Sequence, residues 1–180
     1  PNSIKVKAAH LNLGGNAANV ACSLARLGAN VQLMTAVGND SVATMIKGIV
    51  ADAGVDTDAF QILPDGNPSV LNMVLVHEDG KHDFVGAGQK RVAWMPDCSR
   101  FSDAKIVNVA NLLFPPYIEP EISTKTAKAA KEAGCIVVAD LITVLSRNME
   151  DIAGALPYID YIFPNEDEAK ALTGKQDLDE

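Results

Sequence analysis

Hydrophobic positions in the first third of the chain follow a helical period, then a continuous run, then a helical period again. Apolar residues recur three or four positions apart over residues 16–27, which predicts a helix with one buried face. The apolar run over residues 31–37 predicts a buried strand, and residues 41–53 return to the helical period after Asp40, a good N-cap residue. Helix, strand and helix in this order are typical of an α/β fold.

A different pattern separates the two halves of the chain. Short runs over residues 59–63, 69–77 and 82–85 are rich in residues typical of strands, and a tight-turn sequence at residues 78–81 joins the last two. This predicts an antiparallel hairpin inserted into an α/β chain. Residues 4–10 begin with alternating apolar and lysine positions and predict a further, half-exposed strand.

The α/β pattern resumes after the insert. Short apolar runs predict strands at residues 105–110, 135–140 and 161–163. Helical patterns predict helices at residues 120–133, 148–156 and 165–172. Because strands that alternate with helices pair in parallel through right-handed crossovers, the sequence predicts a mainly parallel sheet.

Composition and charge narrow the classes of partner. Of 180 residues, 48% are hydrophobic and 21% are charged, which is typical of a globular protein with a sizeable core. The net charge of −8 argues against a nucleic-acid or anionic-membrane binder, because phosphate contacts need clustered Lys and Arg. The three cysteines are far apart and no apolar run is long enough to span a bilayer, so we expect a cytoplasmic protein.

The first informative polar stretch is the sequence GGNAAN at residues 14–19. Gly14 and Gly15 allow the backbone to approach a ligand closely. Asn16 and Asn19 share a helix face, and two side-chain amides can both donate to and accept from neighbouring hydroxyl groups. A simpler explanation is a glycine turn followed by an asparagine N-cap, and this stretch taken alone slightly favours it.

The second stretch is PNEDE at residues 164–168, where a predicted strand ends and a helix begins. In an open parallel sheet, ligands bind in the crevice outside the carboxyl ends of the strands. Asn165 and Glu168 share a helix face there, and an amide with a carboxylate suits a hydrated Mg²⁺ beside nucleotide phosphates. Taken alone, the stretch is explained more simply as an acidic first turn that complements the helix dipole.

Other nucleotide-binding motifs are missing from the sequence. Residues 174–175 lack the preceding glycine loop of a Walker sequence, and residues 86–88 lack the third glycine of a dinucleotide fingerprint. No spacing of Cys and His indicates a metal site. These absences count against a third hypothesis, a nucleotide-dependent oxidoreductase on a Rossmann-like sheet.

Taken together, the two polar stretches resemble the ribokinase-like family, also called the PfkB carbohydrate kinases. GGNAAN with its helix, a Gly-Asn-Asp turn at residues 38–40, the hairpin insert and PNEDEAKALTG follow one another in the family's order. The resemblance covers nearly the whole chain. It implies a three-layer α/β sandwich with a mainly parallel sheet and a β-hairpin lid. It also implies an enzyme that transfers the γ-phosphoryl group of ATP to a hydroxyl group of a sugar or nucleoside.

The resemblance implies substrate contacts for individual residues. Gly14, Gly15 and Asn19 match positions that line the sugar pocket, whereas Asn16 falls where family members vary. We expect Asn16 to bind the substrate as well, because it shares a helix face with Asn19. Asn111 lies near a position that holds a sugar hydroxyl group in other members. Ribose, fructose, a keto-deoxy acid and a nucleoside all remain candidate substrates.

The resemblance also implies the cofactors. Asn165 and Glu168 match the pair that organises Mg²⁺ and the phosphates of ATP, largely through water. Of the two, Glu168 is the expected metal-binding residue. A monovalent cation is a further candidate cofactor.

The same resemblance implies that the catalytic base is missing. The family's base and anion hole lie in a Gly-Ala-Gly-Asp motif, which does not occur among the 180 residues. We therefore expect no catalytic residue within the chain and a base beyond Glu180, its last residue. This predicts an internal fragment of a sugar kinase that is inactive alone. The alternative is a non-catalytic sugar-binding or assembly module.

The hairpin is the expected lid over the sugar. Asn72 and Val74 share the face expected to lie over the substrate, with Val74 packing on the sugar ring. Leu71, Met73 and Leu75 lie on the other face, which we expect a second copy to cover in a lid-to-lid homodimer. The resemblance implies the same dimer. The alternative is that both faces are covered within one chain, by residues 4–10 and the main domain. The expected division is an α/β core at residues 11–58 and 87–180, with a β lid at residues 1–10 and 59–86.

Overall fold

The computed structural model describes residues 6–86, 92–112, 120–142, 149–175 and 177. Its helices are α1 (Asn16–Arg26), α2 (Ser41–Asp52), α3 (Pro120–Glu132), α4 (Met149–Ile152) and α5 (Glu166–Thr173). Its strands are β1 (Thr35–Val37), β2 (Phe60–Ile62), β3 (Asn72–Val76), β4 (His82–Gly86), β5 (Ile106–Val109), β6 (Ile136–Asp140) and β7 (Tyr161–Phe163). Short 3₁₀ helices cover Cys98–Asp103 and Leu156–Tyr158.

The strands pair into parallel sheets and one antiparallel hairpin. β1 and β2 pair in parallel, and β5, β6 and β7 form a parallel sheet in that order. β3 and β4 form the antiparallel pair that we call the lid hairpin. Helices alternate with the parallel strands, as the sequence predicts for an α/β fold. No helix in the described part of the chain is long and apolar enough to cross a membrane.

The larger core lies between α3 and the sheet of β5, β6 and β7. Val137 and Ala139 of the middle strand and Ala127 and Ala130 of the helix are all fully buried in it. Alanines on the helix allow a close approach to the strands, so the sheet has a firmly packed face. A smaller cluster joins α1 to α2 around the buried Val50. These two cores hold the loops at the strand ends in place.

Asp40 connects the start of α2 to the segment that leads into the lid hairpin. Its Oδ1 accepts from the Ala43 N–H at 2.8 Å, which is the predicted N-cap, and its Oδ2 accepts from the Ser69 N–H at 2.7 Å. These bonds, the one from Ser69 first, lower the pKa of Asp40. Gly38 donates to Ser69 Oγ at 2.9 Å, and a Cβ at Gly38 would lie 2.6 Å from the Ser69 nitrogen. Only glycine therefore fits this close approach.

One predicted strand is not formed by its described residues, and another is formed but belongs to a different sheet than predicted. Of the first predicted strand, residues 4–5 lie outside the described residues, and residues 6–10 adopt no regular structure. Lys7 instead reaches the lid turn through its side chain, at 2.5 Å from Glu78 Oε1. The sequence grouped residues 59–63 with the lid, but β2 pairs in parallel with β1, because Thr35 to Val37 offer it a matching edge. The wider division into core and lid remains a prediction.

Three element boundaries also move. The strand predicted over residues 31–37 begins at Thr35, and Gln32 before it makes only an isolated bridge to Asp56. The lid hairpin begins at Asn72 rather than at residue 69, because Ser69 is buried and bonded to Gly38 and Asp40. The helix predicted over residues 148–156 ends at Ile152, and residue 148 lies outside the described residues. A 3₁₀ turn containing Pro157 follows, and proline cannot continue an α-helix.

Candidate functional site

The carboxyl ends of β5, β6 and β7 meet at one side of the sheet, which we call the carboxyl edge. Asp140 is the last residue of β6, Asn111 lies two residues beyond β5, and Asn165 lies two residues beyond β7. Phe163, the last residue of β7, is the register partner of Asp140. The PNEDE stretch therefore begins beside the end of β6, at the edge where ligands bind in open parallel sheets.

Asp140 joins three segments at the carboxyl edge. Its Oδ1 accepts from Asn16 Nδ2 at 3.0 Å and from the Asn111 N–H at 2.9 Å. Asn16 Nδ2 also donates to the Leu141 carbonyl oxygen at 3.5 Å. The Asp140 carbonyl oxygen accepts from the Leu112 N–H at 3.0 Å. The start of α1 is thereby held against the end of β6, 124 residues away in the sequence.

Asn111 has an unusual backbone conformation. Its φ is 60°, and every other described residue with a positive φ is a glycine. Asparagine tolerates this left-handed region better than most residues, but the conformation still has a cost. The turn directs the Asn111 N–H to Asp140, which brings Asn111 and Asn16 to one carboxylate. A contact of Asn111 with a sugar remains a prediction.

α1 begins at the GGNAAN stretch without a side-chain cap from the residues that the structure describes. Its N-cap is Gly15, at φ 89°, where a residue with a Cβ would be strained. The simpler explanation of an asparagine N-cap is therefore wrong, because Asn16 is the first residue inside the helix. A Cβ at Gly14 would meet open space. Asn19 is exposed, whereas Asn16 is half-buried and bonded to Asp140.

Asn165 and Glu168 form a reciprocal capping box at the start of α5. Asn165 Oδ1 accepts from the Glu168 N–H, and Glu168 Oε2 accepts from the Asn165 N–H, each at 2.9 Å. Glu168 is only 8% exposed. The acidic first turn that explains this stretch more simply is therefore present, and it satisfies the helix end. The box uses only Oε2 of Glu168, and a contact with Mg²⁺ remains a prediction.

The catalytic base is expected beyond Glu180, the last of the 180 residues. Glu180 itself lies outside the described residues, as do residues 178–179 before it. The structure therefore describes nothing of the chain near the expected base, and its place beyond Glu180 stays a prediction. Asp140 and Glu168 are already engaged in hydrogen bonds at this edge, and neither is proposed to replace that base.

The lid hairpin is exposed on both faces. Asn72 and Val74 lie on one face, where Val74 is 46% exposed, and Met73 on the other face is 60% exposed. The described part of the chain therefore leaves apolar side chains of both faces in solvent. The roles predicted for Asn72 and Val74 toward a sugar remain predictions.

Sequence reasoning missed Asp140. The pattern over residues 135–140 indicates only a buried strand, although the strand ends on a carboxylate. The rule that selected Asn165, a polar residue at the carboxyl end of a predicted parallel strand, applies equally to Asp140. The signal was therefore present, but the partners Asn16 and Asn111 cannot be read from the local sequence.

Comparison with known proteins extends these observations. The pfkB family model, described as carbohydrate kinases, matches residues 1–180. The ATP-dependent ribose-1-phosphate kinase of Halopiger xanaduensis is 30% identical over 159 residues, which cover 88% of this chain and 52% of the relative. The ribokinase of Haemophilus influenzae is 30% identical over 171 residues, which cover 93% of this chain and 53% of that relative.

The fold is similar to that of a solved structure. Arabidopsis thaliana ribokinase, complexed with ribose and ATP, matches with a TM-score of 0.82 at 24% identity, covering 98% of this chain and 57% of that chain. The α/β fold expected from the resemblance is confirmed. The chain spans about half the length of the curated relatives that it matches.

Proposed function

Because the chain belongs to the pfkB family of carbohydrate kinases, we propose that it supplies the sugar-binding part of an enzyme that phosphorylates a sugar hydroxyl group with ATP. The observation that carries the proposal is the meeting of GGNAAN with the carboxyl edge, through the bond from Asn16 to Asp140. The strand beside Asp140 leads directly into PNEDE. Phosphoryl transfer requires an acceptor hydroxyl group and phosphates held in line, so both stretches need to lie at one edge.

Gly14, Gly15 and Asn19 are the proposed sugar contacts, with Asn111 beside them. The exposed Asn19 amide can donate to and accept from neighbouring hydroxyl groups. Asn16 is proposed to support the pocket through its Nδ2, which is bonded to Asp140, and its predicted contact with the sugar then falls to its Oδ1. The relatives named for ribose 1-phosphate and ribose favour a ribose-type substrate.

ATP and Mg²⁺ are the proposed cofactors, and Asn165 with Glu168 is their proposed site. Mg²⁺ is commonly held by one or two carboxylates, several waters and phosphate oxygens, so a single buried carboxylate suits it. The described ranges contain no group of three or more His, Cys, Asp or Glu side chains that could hold a metal ion. Glu168 is therefore expected to act through water. When bound, Mg²⁺ neutralises charge that develops on the transferred phosphoryl group.

The lid hairpin is proposed to exclude water from the sugar and to mediate a homodimer. A closing lid protects the phosphoryl group from water, which would otherwise accept it. The exposed apolar face of Met73 suits an isologous contact with a second lid. All three cysteines are free thiols, which supports a cytoplasmic setting.

The test is ADP formation in the presence of D-ribose, ribose 1-phosphate or D-fructose. A polypeptide that continues beyond Glu180 into a Gly-Ala-Gly-Asp segment is expected to form ADP in a sugar-dependent manner. The 180-residue chain alone is expected to form none, because that motif does not occur in it. Sugar binding without ADP formation by the longer polypeptide would favour the alternative, a non-catalytic sugar-binding or assembly module. Sugar-dependent ADP formation by the chain alone would overturn its proposed inactivity.

A further inference from the structure

We propose that Asp140 is a positioning residue that fixes the start of α1 and the Asn111 turn relative to each other. The inference rests on the proposed function, because the positions of these two segments affect binding only if they contact the sugar. Asp140 itself is not proposed to touch the substrate.

A single carboxylate oxygen links the two segments. Asp140 Oδ1 accepts from Asn16 Nδ2 at 3.0 Å and from the Asn111 N–H at 2.9 Å. The two donors come from parts of the chain that lie 124 and 29 residues from Asp140. Because both bonds end on the same oxygen, neither segment can shift without losing its hydrogen bond to Asp140. Asp140 therefore couples their positions.

The turn at Asn111 depends on this support. A non-glycine residue at φ 60° is held in a costly conformation, which persists only where the surrounding structure fixes it. Two bonds fix this turn, one from the Asn111 N–H to Asp140 Oδ1 and one from the Leu112 N–H to the Asp140 carbonyl oxygen at 3.0 Å. Removal of the side chain leaves only the second bond. The Asn111 turn should then relax while the strand remains paired.

The surroundings of the second carboxylate oxygen of Asp140 indicate that the fold tolerates removal of this side chain. Asp140 Oδ2 is buried, and no described residue donates a hydrogen bond to it. A buried polar atom without a partner is destabilising, so removal of the carboxylate relieves one cost while it breaks two bonds. The donors left behind, on Asn16 and Asn111, are half-buried and can bind water. We therefore expect Asp140→Ala to fold.

Asp160 provides a matched control at the opposite edge of the same sheet. Its Oδ2 accepts from the Val137 N–H at 2.9 Å, so it also fixes a backbone amide with a carboxylate. Asp160 directly precedes β7, at the amino end of that strand. Its recorded hydrogen bonds involve neither Asn16 nor Asn111. Its other oxygen, Oδ1, pairs with Lys131 Nζ. Asp160→Ala therefore removes a comparable bond to a backbone amide, together with an ion pair, without touching the proposed pocket.

The experiment uses the ¹⁵N-labelled 180-residue chain. Amide hydrogen exchange reports on the Asn111 turn, and titration with D-ribose, ribose 1-phosphate and D-fructose reports on affinity. We expect Asp140→Ala to raise exchange at Asn111 at least about tenfold and to weaken sugar binding by roughly tenfold, since the loss of one hydrogen bond has an effect of this order. Asp140→Asn keeps an acceptor oxygen. It should therefore restore most of the protection of the Asn111 amide from exchange and most of the sugar affinity. Asp160→Ala should expose only the Val137 amide and bind sugar normally.

Several results would overturn the role of Asp140. These are wild-type exchange at Asn111 in Asp140→Ala, failure of Asp140→Asn to restore it, or an equal loss of sugar affinity in Asp160→Ala. If Asp140→Ala does not fold, Asn16→Ala removes only one donor and should still raise exchange at Asn111, so unchanged exchange there would overturn the coupling. If the wild-type chain binds none of the sugars, the proposed function fails, whereas exchange at Asn111 still decides whether Asp140 fixes the turn.

Discussion

Asn16 and Asn19 lie three residues apart on α1, yet they have different surroundings. Asn16 is half-buried and donates to Asp140, whereas Asn19 is exposed at the start of the helix. Equal spacing on a helix face therefore does not imply an equal role. The difference arises from a partner 124 residues away, which no local pattern contains.

Asn19→Ala is expected to weaken sugar binding with little change in ATP affinity. The substitution removes one hydrogen-bonding side chain from the proposed pocket, which should cost about 1–3 kcal/mol of binding free energy. Titration calorimetry with sugar and, separately, with ATP measures both affinities. Ser23→Ala, on an exposed position of the same helix, is the control and should bind as wild type. Wild-type sugar affinity in Asn19→Ala would assign Asn19 a structural role only.

Glu168→Gln separates the charge of Glu168 from its capping role. Glutamine can accept the Asn165 N–H as glutamate does, so the capping box is retained while the charge is lost. In a polypeptide that includes the Gly-Ala-Gly-Asp segment, we expect kcat to fall about a hundredfold, and more than the sugar KM rises, because the charge acts at the phosphates.

Thermal melts and steady-state kinetics measure the two effects of Glu168. Glu168→Gln should keep a wild-type melting temperature, whereas Glu168→Ala should lower both the melting temperature and kcat. An unchanged kcat in Glu168→Gln would show that Glu168 serves only the start of α5.

At the scale of elements, local signals and distant partners contribute differently. The starts of α2 and α5 were predictable, because a cap such as Asp40 or the Asn165–Glu168 box is made by residues a few positions apart. The pairing of β2 with β1 was not, since a short apolar strand fits either a lid or a parallel sheet until its neighbour is known. The candidate site shows the same difference between local signals and distant partners. The two polar stretches were found from the sequence, and the Asp140 link between α1 and β6 was not.

Asp40→Asn is expected to lower the melting temperature by an amount that depends on pH. Asparagine keeps the cap on the Ala43 N–H but turns an NH₂ group toward the Ser69 N–H, where Asp40 Oδ2 now accepts. The folded pKa of Asp40 lies below its ordinary value of 3.8 because of these bonds. The stabilisation by the Asp40 carboxylate is therefore complete above pH 3.8. It is lost as the pH falls through the lower pKa that Asp40 has in the folded protein.

Thermal unfolding across acid and neutral pH tests this dependence. The difference between wild type and Asp40→Asn should be largest at neutral pH and should shrink in acid. Asp65→Asn, in an exposed turn, is the control and should change little. A difference that stays constant with pH would contradict a role for the Asp40 charge.

At the scale of the whole molecule, the lid hairpin exposes several large apolar side chains. Met73, Val76 and Phe84 are each at least 60% exposed, although a small sheet that stands in water should have one polar face. The described residues of a single chain leave both faces uncovered. A sugar on one side and a second lid on the other would cover them, as proposed.

Met73→Asp is expected to convert a dimer into monomers while the α/β part stays folded. The twofold symmetry of the dimer places this charge in the contact face twice, once from each chain. The free-energy cost of desolvating both charges opposes association strongly. Light scattering at micromolar concentration measures the mass, and circular dichroism measures folding. Asn72→Asp places the same charge on the opposite face of β3 and should remain dimeric. A monomeric wild-type protein would contradict the lid contact.

The central claim is that the carboxyl edge, with the GGNAAN turn, forms a sugar pocket. The most direct measurement is an NMR titration of the ¹⁵N-labelled chain with D-ribose, which maps every amide that responds. We expect saturable shifts at Gly14, Gly15 and Asn19, with none at Val137 near the amino edge of the sheet. An absence of shifts at the GGNAAN turn up to the solubility limit of the sugar, or shifts confined to other surfaces, would contradict it.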